Sequence, residues 1–205
     1  MSDAISDVAT LEAHFDPPLD VAVACMCEQL DHFHRQFIEL CPFICIATAD
    51  AEGFPSVSPK GDAPGFVRII DDKTLLLPDR PGNNKVESFH NLVANPGVAL
   101  LFMIPGVKET LRVRGRAEII TSQSLLEASR VDGRSVKTGT LISIEKVYFH
   151  CGKAMIRSKL WQDAYQPLPG TLPSFGQIVK AQAKVEASEE AVEERIQESY
   201  RERLY

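Results

Sequence analysis

The clearest pattern in the chain is an alternation of period two in residues 109–120. Leu111, Val113, Ala117 and Ile119 fall on one face of a strand, and Arg112, Arg114 and Arg116 on the other. The same period runs through residues 55–60, which place Ser56, Ser58 and Lys60 on one face and Pro55, Val57 and Pro59 on the opposite one. The remaining strands are predicted from short apolar runs bounded by turn residues. Residues 43–48 lead through the turn 49–53 into 55–60 as a hairpin, and 66–70 and 74–77 flank Asp71-Asp72-Lys73 as a second hairpin. Residues 98–104 are nearly all apolar and are expected to be buried on both faces, and 141–150 form the last strand. Short strands at hairpin spacing, few of them separated by long helices, favour an antiparallel barrel over a doubly wound sheet.

Helical spacing governs the rest. Val21, Ala24, Cys25, Leu30, Phe33, Phe37, Ile38 and Leu40 recur at helical intervals, which predicts one long amphipathic helix over 19–40 that stops before Pro42. Val86, Phe89, Leu92 and Val93 mark another helix, and residues 122–131 and 153–161 two more. The tail from 175 to 205 is rich in Ala, Glu, Gln, Lys and Arg, with acids at 189, 190, 193 and 194 ahead of Arg195, Arg201 and Arg203, and should also be helical. Its apolar stripe is thin, so it is expected to pack on a dimer or extend into solvent, with no catalytic duty. The chain thus divides into an arm (1–18, ending in Pro17-Pro18), one domain (19–165), and a linker with a helical tail (166–205).

Composition narrows the class of partner. The 205 residues carry 44% hydrophobic and 24% charged side chains, as a soluble globular protein does, and a net charge of −6. That balance argues against nucleic acid or an anionic membrane as a general partner. A local basic site remains compatible with it, because screening confines each charge to about 10 Å. There is no basic–apolar–small leader pattern and no apolar run long enough to span a bilayer, so the cytoplasm is the default location. The five cysteines, Cys25, Cys27, Cys41, Cys45 and Cys151, do not form an even disulfide framework. On a continuous helix Cys25 and Cys27 would point about 200° apart and could not chelate together. Buried free thiols are expected, and no metal.

The candidate chemistry lies in four donor-rich patches. The first is Pro78-Asp79-Arg80-Pro81-Gly82-Asn83-Asn84-Lys85, a turn that leaves an apolar strand and delivers the chain to a helix N-terminus. Backbone N–H groups, amides and cations converging there make either a phosphate site or an Asn-capped surface turn. The second is the Ser56/Ser58/Lys60 strip and the third the arginine strip, each of which could also be an ordinary solvated strand face. The fourth is a helix stripe at i, i+4 and i+8 formed by Lys153, Arg157 and Trp161, the chain's one tryptophan. Together they suit an anionic ligand with a phosphate and a polar ring system.

These residues resemble a known family. Ser58-Pro59-Lys60-Gly61-Asp62, Pro64-Gly65-Phe66-Val67 and Pro78 to Asn84 look like the flavin-binding segments of the pyridoxamine 5′-phosphate oxidase-like proteins. The similarity continues through Asn95-Pro96, Ile104-Pro105-Gly106, Glu109 to Val113, Gly115-Arg116-Ala117 and His150 to Trp161, and covers about residues 20–165. It is greatest to the flavin-nucleotide-binding branch. The resemblance implies a mainly β fold with flanking helices, a six-stranded antiparallel split barrel that forms a homodimer with FMN at the interface. It implies that Ser58, Lys60 and Gly61 lie along the flavin and ribityl chain, and that Arg80, Asn83, Asn84 and Lys85 hold the phosphate. Arg112 and Arg114 would approach the ring or phosphate, and Lys153, Arg157 and Trp161 would come from the last helix across the interface. Ser56-Val57-Ser58 stands where the vitamin B6 oxidases carry an arginine, and Asn83-Asn84-Lys85 only partly matches their Arg-Lys pair. The Glu-rich tail has no counterpart to their substrate-binding segment. The expected activity is therefore an FMN-dependent oxidoreductase acting on another small substrate or on reduced nicotinamide. A flavin carrier or redox sensor, or a split barrel using haem or deazaflavin, are the alternatives. No nucleophile–base pair stands out, so no catalytic residue is assigned.

Overall fold

A computed structural model describes residues 4–163 and 166–205. Residues 1–3 of the expected arm, and 164–165 at the expected domain boundary, lie outside the described residues. Strands β1 (Phe43–Ala49), β2 (Pro55–Gly61), β3 (Arg68–Ile69), β4 (Thr74–Pro78), β5 (Gly97–Met103), β6 (Thr110–Ile120) and β7 (Gly139–His150) form one sheet in the order β2-β1-β5-β6-β7-β4-β3. Every pairing is antiparallel. The strand count is seven where the resemblance implied six. The shortest strand, β3, is two residues long and pairs only with β4.

Alternation decides which face is the core. Ile44, Ile46 and Thr48 of β1, Val98, Leu100 and Phe102 of β5, and Leu111 and Val113 of β6 are buried in register with one another, and Ala117 of β6 is buried opposite Ile142 of β7. With Leu75 and Leu77 of β4 and Ile142 and Val147 of β7, their apolar side chains form one continuous hydrophobic cluster. Ile46 and Lys60 from one end of the sheet and Leu77 and Pro78 from the other line a common small cavity, so the sheet curls until its ends approach. The expectation that β5 is buried on both faces is corrected: Ala99, Leu101 and Met103 are only half-buried.

The β6–β7 pairing slips between Arg114 and Gly115. At Gly115 the backbones approach so closely that a Cβ would lie 1.9 Å from the Ser143 carbonyl oxygen. Only glycine fits this bulge without backbone movement.

The predicted long helix over 19–40 is two helices, α2 (Asp20–Ala24) and α3 (His32–Leu40), after a short α1 (Val8–Glu12) in the arm. The segment between them does strand work. Cys27 N–H donates to Val147 O at 2.9 Å and Val147 N–H to Cys27 O at 2.8 Å, so Cys27 satisfies a stretch of β7 beyond the reach of β4. α3 then starts afresh at Asp31, whose carboxylate accepts from His34 N–H while His34 Nδ1 accepts from Asp31 N–H. Burial lowers the His34 pKa, against the pull of Asp31, which favours the unprotonated Nδ1 that the acceptor role requires. Cys25 and Cys27 are thus not on a continuous helix, and among the described residues no three His, Cys, Asp or Glu side chains are grouped for a metal.

Helix α4 (Glu87–Ala94) follows the turn after β4, and α5 (Gln123–Leu126) with a 3-10 turn (Glu127–Ser129) replaces the longer helix expected over 122–131. α6 (Lys153–Ser158) ends where Lys159 adopts φ 51°, short of Trp161. The tail forms α7 (Phe175–Ala183) and α8 (Glu189–Glu202), joined where Gly176 N–H donates to Glu193 at 2.9 Å.

Candidate functional site

β2 is an edge strand, and its register with β1 sets its chemistry. Lys60 pairs with Ile44, Ser58 with Ile46 and Ser56 with Thr48, so the polar strip of β2 lies on the core side of the sheet. β4 brings the turn 79–86 against this strip. Between them is a cavity of about 210 Å³ lined by Ser58, Lys60, Arg80, Asn83, Asn84 and Lys85, with Asp79 and Glu87 as its carboxylates. Lys60 Nζ stands 4.0 Å from Asp79 Oδ1, and each side chain is 33% exposed. Burial pushes the Asp79 carboxyl up, opposed by Lys60, its neighbouring backbone N–H and Arg80. Glu87 is engaged differently: Ser56 Oγ donates to it at 2.7 Å.

Asn83, Asn84 and Lys85 sit in the turn ahead of α4 and not at its N-terminus, which corrects the expectation from sequence. The N-cap is Val86, with no side-chain cap. Asn83 folds the turn by accepting from Lys85 N–H at 3.1 Å, and Asn84 (φ 56°) and Val86 (φ 46°) flank Lys85 in the left-handed region. For a β-branched residue such a backbone is strained, and strain of this kind concentrates at functional turns.

Arg80 is held from behind. Its Nε donates to Asp62 Oδ2 and its Nη1 to Ser129 O at 2.8 Å. The Asp62 side chain is 2% exposed, and its other oxygen accepts from Ala63 N–H at 2.7 Å and from the Tyr205 hydroxyl at 2.8 Å. Burial alone would raise the Asp62 carboxyl. Hydrogen bonds from Tyr205, Ala63 N–H and Arg80, with the arginine's charge, outweigh it and hold the group below the ordinary carboxylate range.

The other expected residues are not brought to this cavity. Gly61 ends β2 on the opposite face, across from Phe43. Arg112 and Arg114 pair with Leu101 and Ala99, on the outer face of the sheet. Arg112 lies over the Tyr148 ring at 5.4 Å and borders a largely apolar depression of about 390 Å³ with Cys45, Val57, Leu101, Ala154 and Met155. Arg114 stands 3.9 Å from Glu145. Lys153 and Arg157 are exposed on α6, and Trp161 Nε1 donates to Val107 O at 2.9 Å.

A sequence model of the pyridoxamine 5′-phosphate oxidase family matches residues 30–151, more than half of the chain. The chain belongs to that family. No curated protein matches it. Among solved structures, HupZ from Group A Streptococcus is 24% identical with a TM-score of 0.48, covering 58% of this chain and 91% of its own. An FMN-binding protein from Syntrophomonas wolfei subsp. wolfei is 12% identical with a TM-score of 0.41, covering 56% and 86%. A structure named F420 reductase is 20% identical with a TM-score of 0.42, covering 59% and 98%. At these values the likenesses carry no argument about chemistry, and the family assignment rests on the sequence model.

The segment matched by the family model contains the whole of this cavity and the Asp62–Arg80–Ser129 contacts. Lys153, Arg157, Trp161 and Tyr205 lie beyond it. Sequence reasoning missed Asp79 and Asp62 as partners of the cations, although Asp62 closes the Ser58-to-Asp62 motif. It missed Tyr205 entirely, and no local pattern marks that residue. No helix among the described residues is long and apolar enough to cross a membrane.

Proposed function

We propose that this member of the pyridoxamine 5′-phosphate oxidase family is a homodimeric FMN-binding protein that acts as an oxidoreductase on a small organic substrate or on reduced nicotinamide, in the cytoplasm. One observation carries the reading. Lys60, Arg80 and Lys85 converge with the Ser58 hydroxyl and the Asn83 and Asn84 amides on one cavity of a protein whose net charge is −6. Three cations against the two carboxylates Asp79 and Glu87, with neutral donors between them, suit a phosphate ester. The cavity, at about 210 Å³, is smaller than the roughly 300–1,000 Å³ of whole small-molecule sites. It fits the phosphate end of the cofactor, and the ring end needs further walls.

The outer face supports a second copy as the source of those walls. Val57 is 65% exposed there, beside the apolar depression that Arg112 borders. Pairing of two such faces would cover the apolar surface and present Arg112 and Arg114 to the partner's site. Residues 19–165 would then be the FMN-binding unit, and 166–205 an accessory tail.

Bound FMN supplies two-electron redox chemistry, while the protein supplies binding, orientation and charge. Lys60 places a positive charge at the cavity wall and is itself held by Asp79. Arg80, fixed by Asp62 and Ser129, presents its remaining N–H groups as a clamp. Lys85 and the two asparagines, which line the same cavity, would hold the phosphate from the turn. Ser56 Oγ is committed to the Glu87 carboxylate at 2.7 Å, and no catalytic residue is assigned.

A fluorescence titration of the purified protein with FMN tests the reading. Saturable binding with quenching is expected; a colourless protein that leaves added FMN unbound would overturn it. Anaerobic addition of NADH or NADPH to the loaded protein then separates an oxidoreductase, which bleaches, from a carrier or sensor, which does not. The spectrum as isolated excludes haem if no Soret band appears, and deazaflavin if no single band lies near 400–420 nm, an approximate range set by cofactor chemistry.

A further inference from the structure

Tyr205, far from the phosphate turn in sequence, is tied down next to it. Its hydroxyl donates to Asp62 Oδ1 at 2.8 Å, its ring lies 5.8 Å from the Arg80 guanidinium carbon, and its main-chain oxygen accepts from Arg134 Nη1. We propose that Tyr205 is a positioning residue that, through Asp62, fixes Arg80 for the phosphate of the bound cofactor. This rests on the FMN reading above and assigns the tail a part in it.

The coupling runs through the donors of one guanidinium. Arginine offers five N–H groups in a rigid plane, and two anchors on different nitrogens fix that plane. Here the anchors are Asp62 on Nε and the Ser129 carbonyl on Nη1, which leaves the other N–H groups of Arg80 for the cavity it lines. The Asp62 anchor holds its place because its own oxygens are shared out: Oδ2 serves Arg80, and Oδ1 serves Ala63 N–H and the Tyr205 hydroxyl. At 2% exposure, water is not at hand to replace a lost donor. Without the phenol hydroxyl, the under-served carboxylate takes more from its remaining strong partner, Arg80. The guanidinium is then drawn from the cavity toward Asp62. The phosphate loses a clamp, and whatever holds the isoalloxazine ring is untouched.

Riboflavin, which has the ring and lacks the phosphate, makes the inference testable. Dissociation constants for FMN and riboflavin are measured by fluorescence titration on the wild type, Tyr205→Phe, Arg80→Gln and the double variant. Tyr205→Phe is expected to weaken FMN by about 2–10-fold, one hydrogen bond's worth, with riboflavin unchanged. In the Arg80→Gln background it should weaken FMN no further, because Tyr205 acts through Arg80. Equal weakening of both ligands, an unchanged FMN affinity, or full additivity with Arg80→Gln would each overturn the role. Failure of the wild type to bind either flavin would instead overturn the cofactor reading, and this role with it. A readout without cofactor runs alongside: the ¹⁵N resonance of Arg80 Nε in the ligand-free protein should move in Tyr205→Phe, and an unmoved resonance counts against the coupling.

Discussion

Lys60 and Arg112 lie on opposite faces of one sheet. The row through Lys60 runs Ile44, Phe102 and Leu111 across the core, while Arg112 belongs to the adjacent row with Leu101, Cys45 and Pro59. In the proposed dimer, a ligand seated on Lys60 would therefore meet Arg112 from a second copy of the chain. Lys60→Ala should weaken FMN by about 10–100-fold in every oligomeric state, the weight of one hydrogen bond to a charged group. Arg112→Ala should weaken it only where the protein sediments as a dimer. Flavin titration at several protein concentrations, with sedimentation velocity on the same samples, checks both. An Arg112→Ala effect that persists in a monomeric sample would refute the cross-subunit placement.

In the proposed site Asp79, 4.0 Å from Lys60, would compete with the phosphate for that ammonium. Burial raises its carboxyl above the ordinary range, so as pH rises through that raised value a negative charge appears 4.0 Å from the Lys60 ammonium. Below it, Asp79 is protonated and Lys60 is free for an anion. Asp79→Asn should therefore bind FMN more tightly than wild type at neutral pH, with the two converging as pH falls. The ligand's own phosphate ionisation near pH 6 acts on both proteins, and the part common to them cancels in the ratio of their dissociation constants. A ratio independent of pH would remove Asp79 from the binding equilibrium.

What the sequence discloses here depends on how local the deciding physics is. β6 is legible because each strand's two faces differ: alternation alone separates Val113 from Arg112, and the structure buries the first and exposes the second. Alternation cannot say whether Arg112 shares a face with Lys60, because that depends on register across two intervening strands. The long helix fails for a similar reason. Its apolar spacing is real, yet the backbone at Cys27 is claimed by Val147, a strand edge far along the chain. The local sign that the helix restarts was Asp31, a capping residue. In the site, the six donors that converge come from β2 and the β4–α4 turn, whose motifs stood out locally. The carboxylate that holds Arg80 is tied to Tyr205, 143 positions away, and no periodicity reaches that far.

Asp62 also ties the site to stability. Its carboxyl is depressed in the folded state, so its contribution is present above the ordinary carboxylate range, about pH 4, and is lost as pH falls through the depressed value. Asp62→Asn removes the charge that faces Arg80, whose side chain is 18% exposed, and should cost about 1–3 kcal/mol at neutral pH. Urea unfolding at a series of pH values should show the gap between variant and wild type narrowing toward acid. A gap that widens toward acid would contradict the assignment of an ionised Asp62.

Gly115 links the sheet to the outer face. A Cβ there would lie 1.9 Å from Ser143 O and 2.9 Å from Ser143 C, both backbone atoms of β7, so side-chain rotation cannot relieve the clash. Gly115→Ala should cost at least ~3 kcal/mol, the upper end of overpacking penalties, read as a fall in the thermal unfolding midpoint. Gly106→Ala is the control: with φ 83° and nothing within 4 Å, it brings only backbone strain of about 1 kcal/mol. The functional consequence follows from where the bulge lies. It falls within the arginine strip, setting Arg114 opposite Lys146 and Arg116 opposite Ser143. Forcing β6 and β7 apart there should disturb the outer face while leaving β2 and the phosphate turn in place. Gly115→Ala protein that still folds should thus lose dimer before it loses the FMN-over-riboflavin preference. Loss of that preference with the dimer intact would mean that the bulge, and not the dimer face, supports the phosphate cavity.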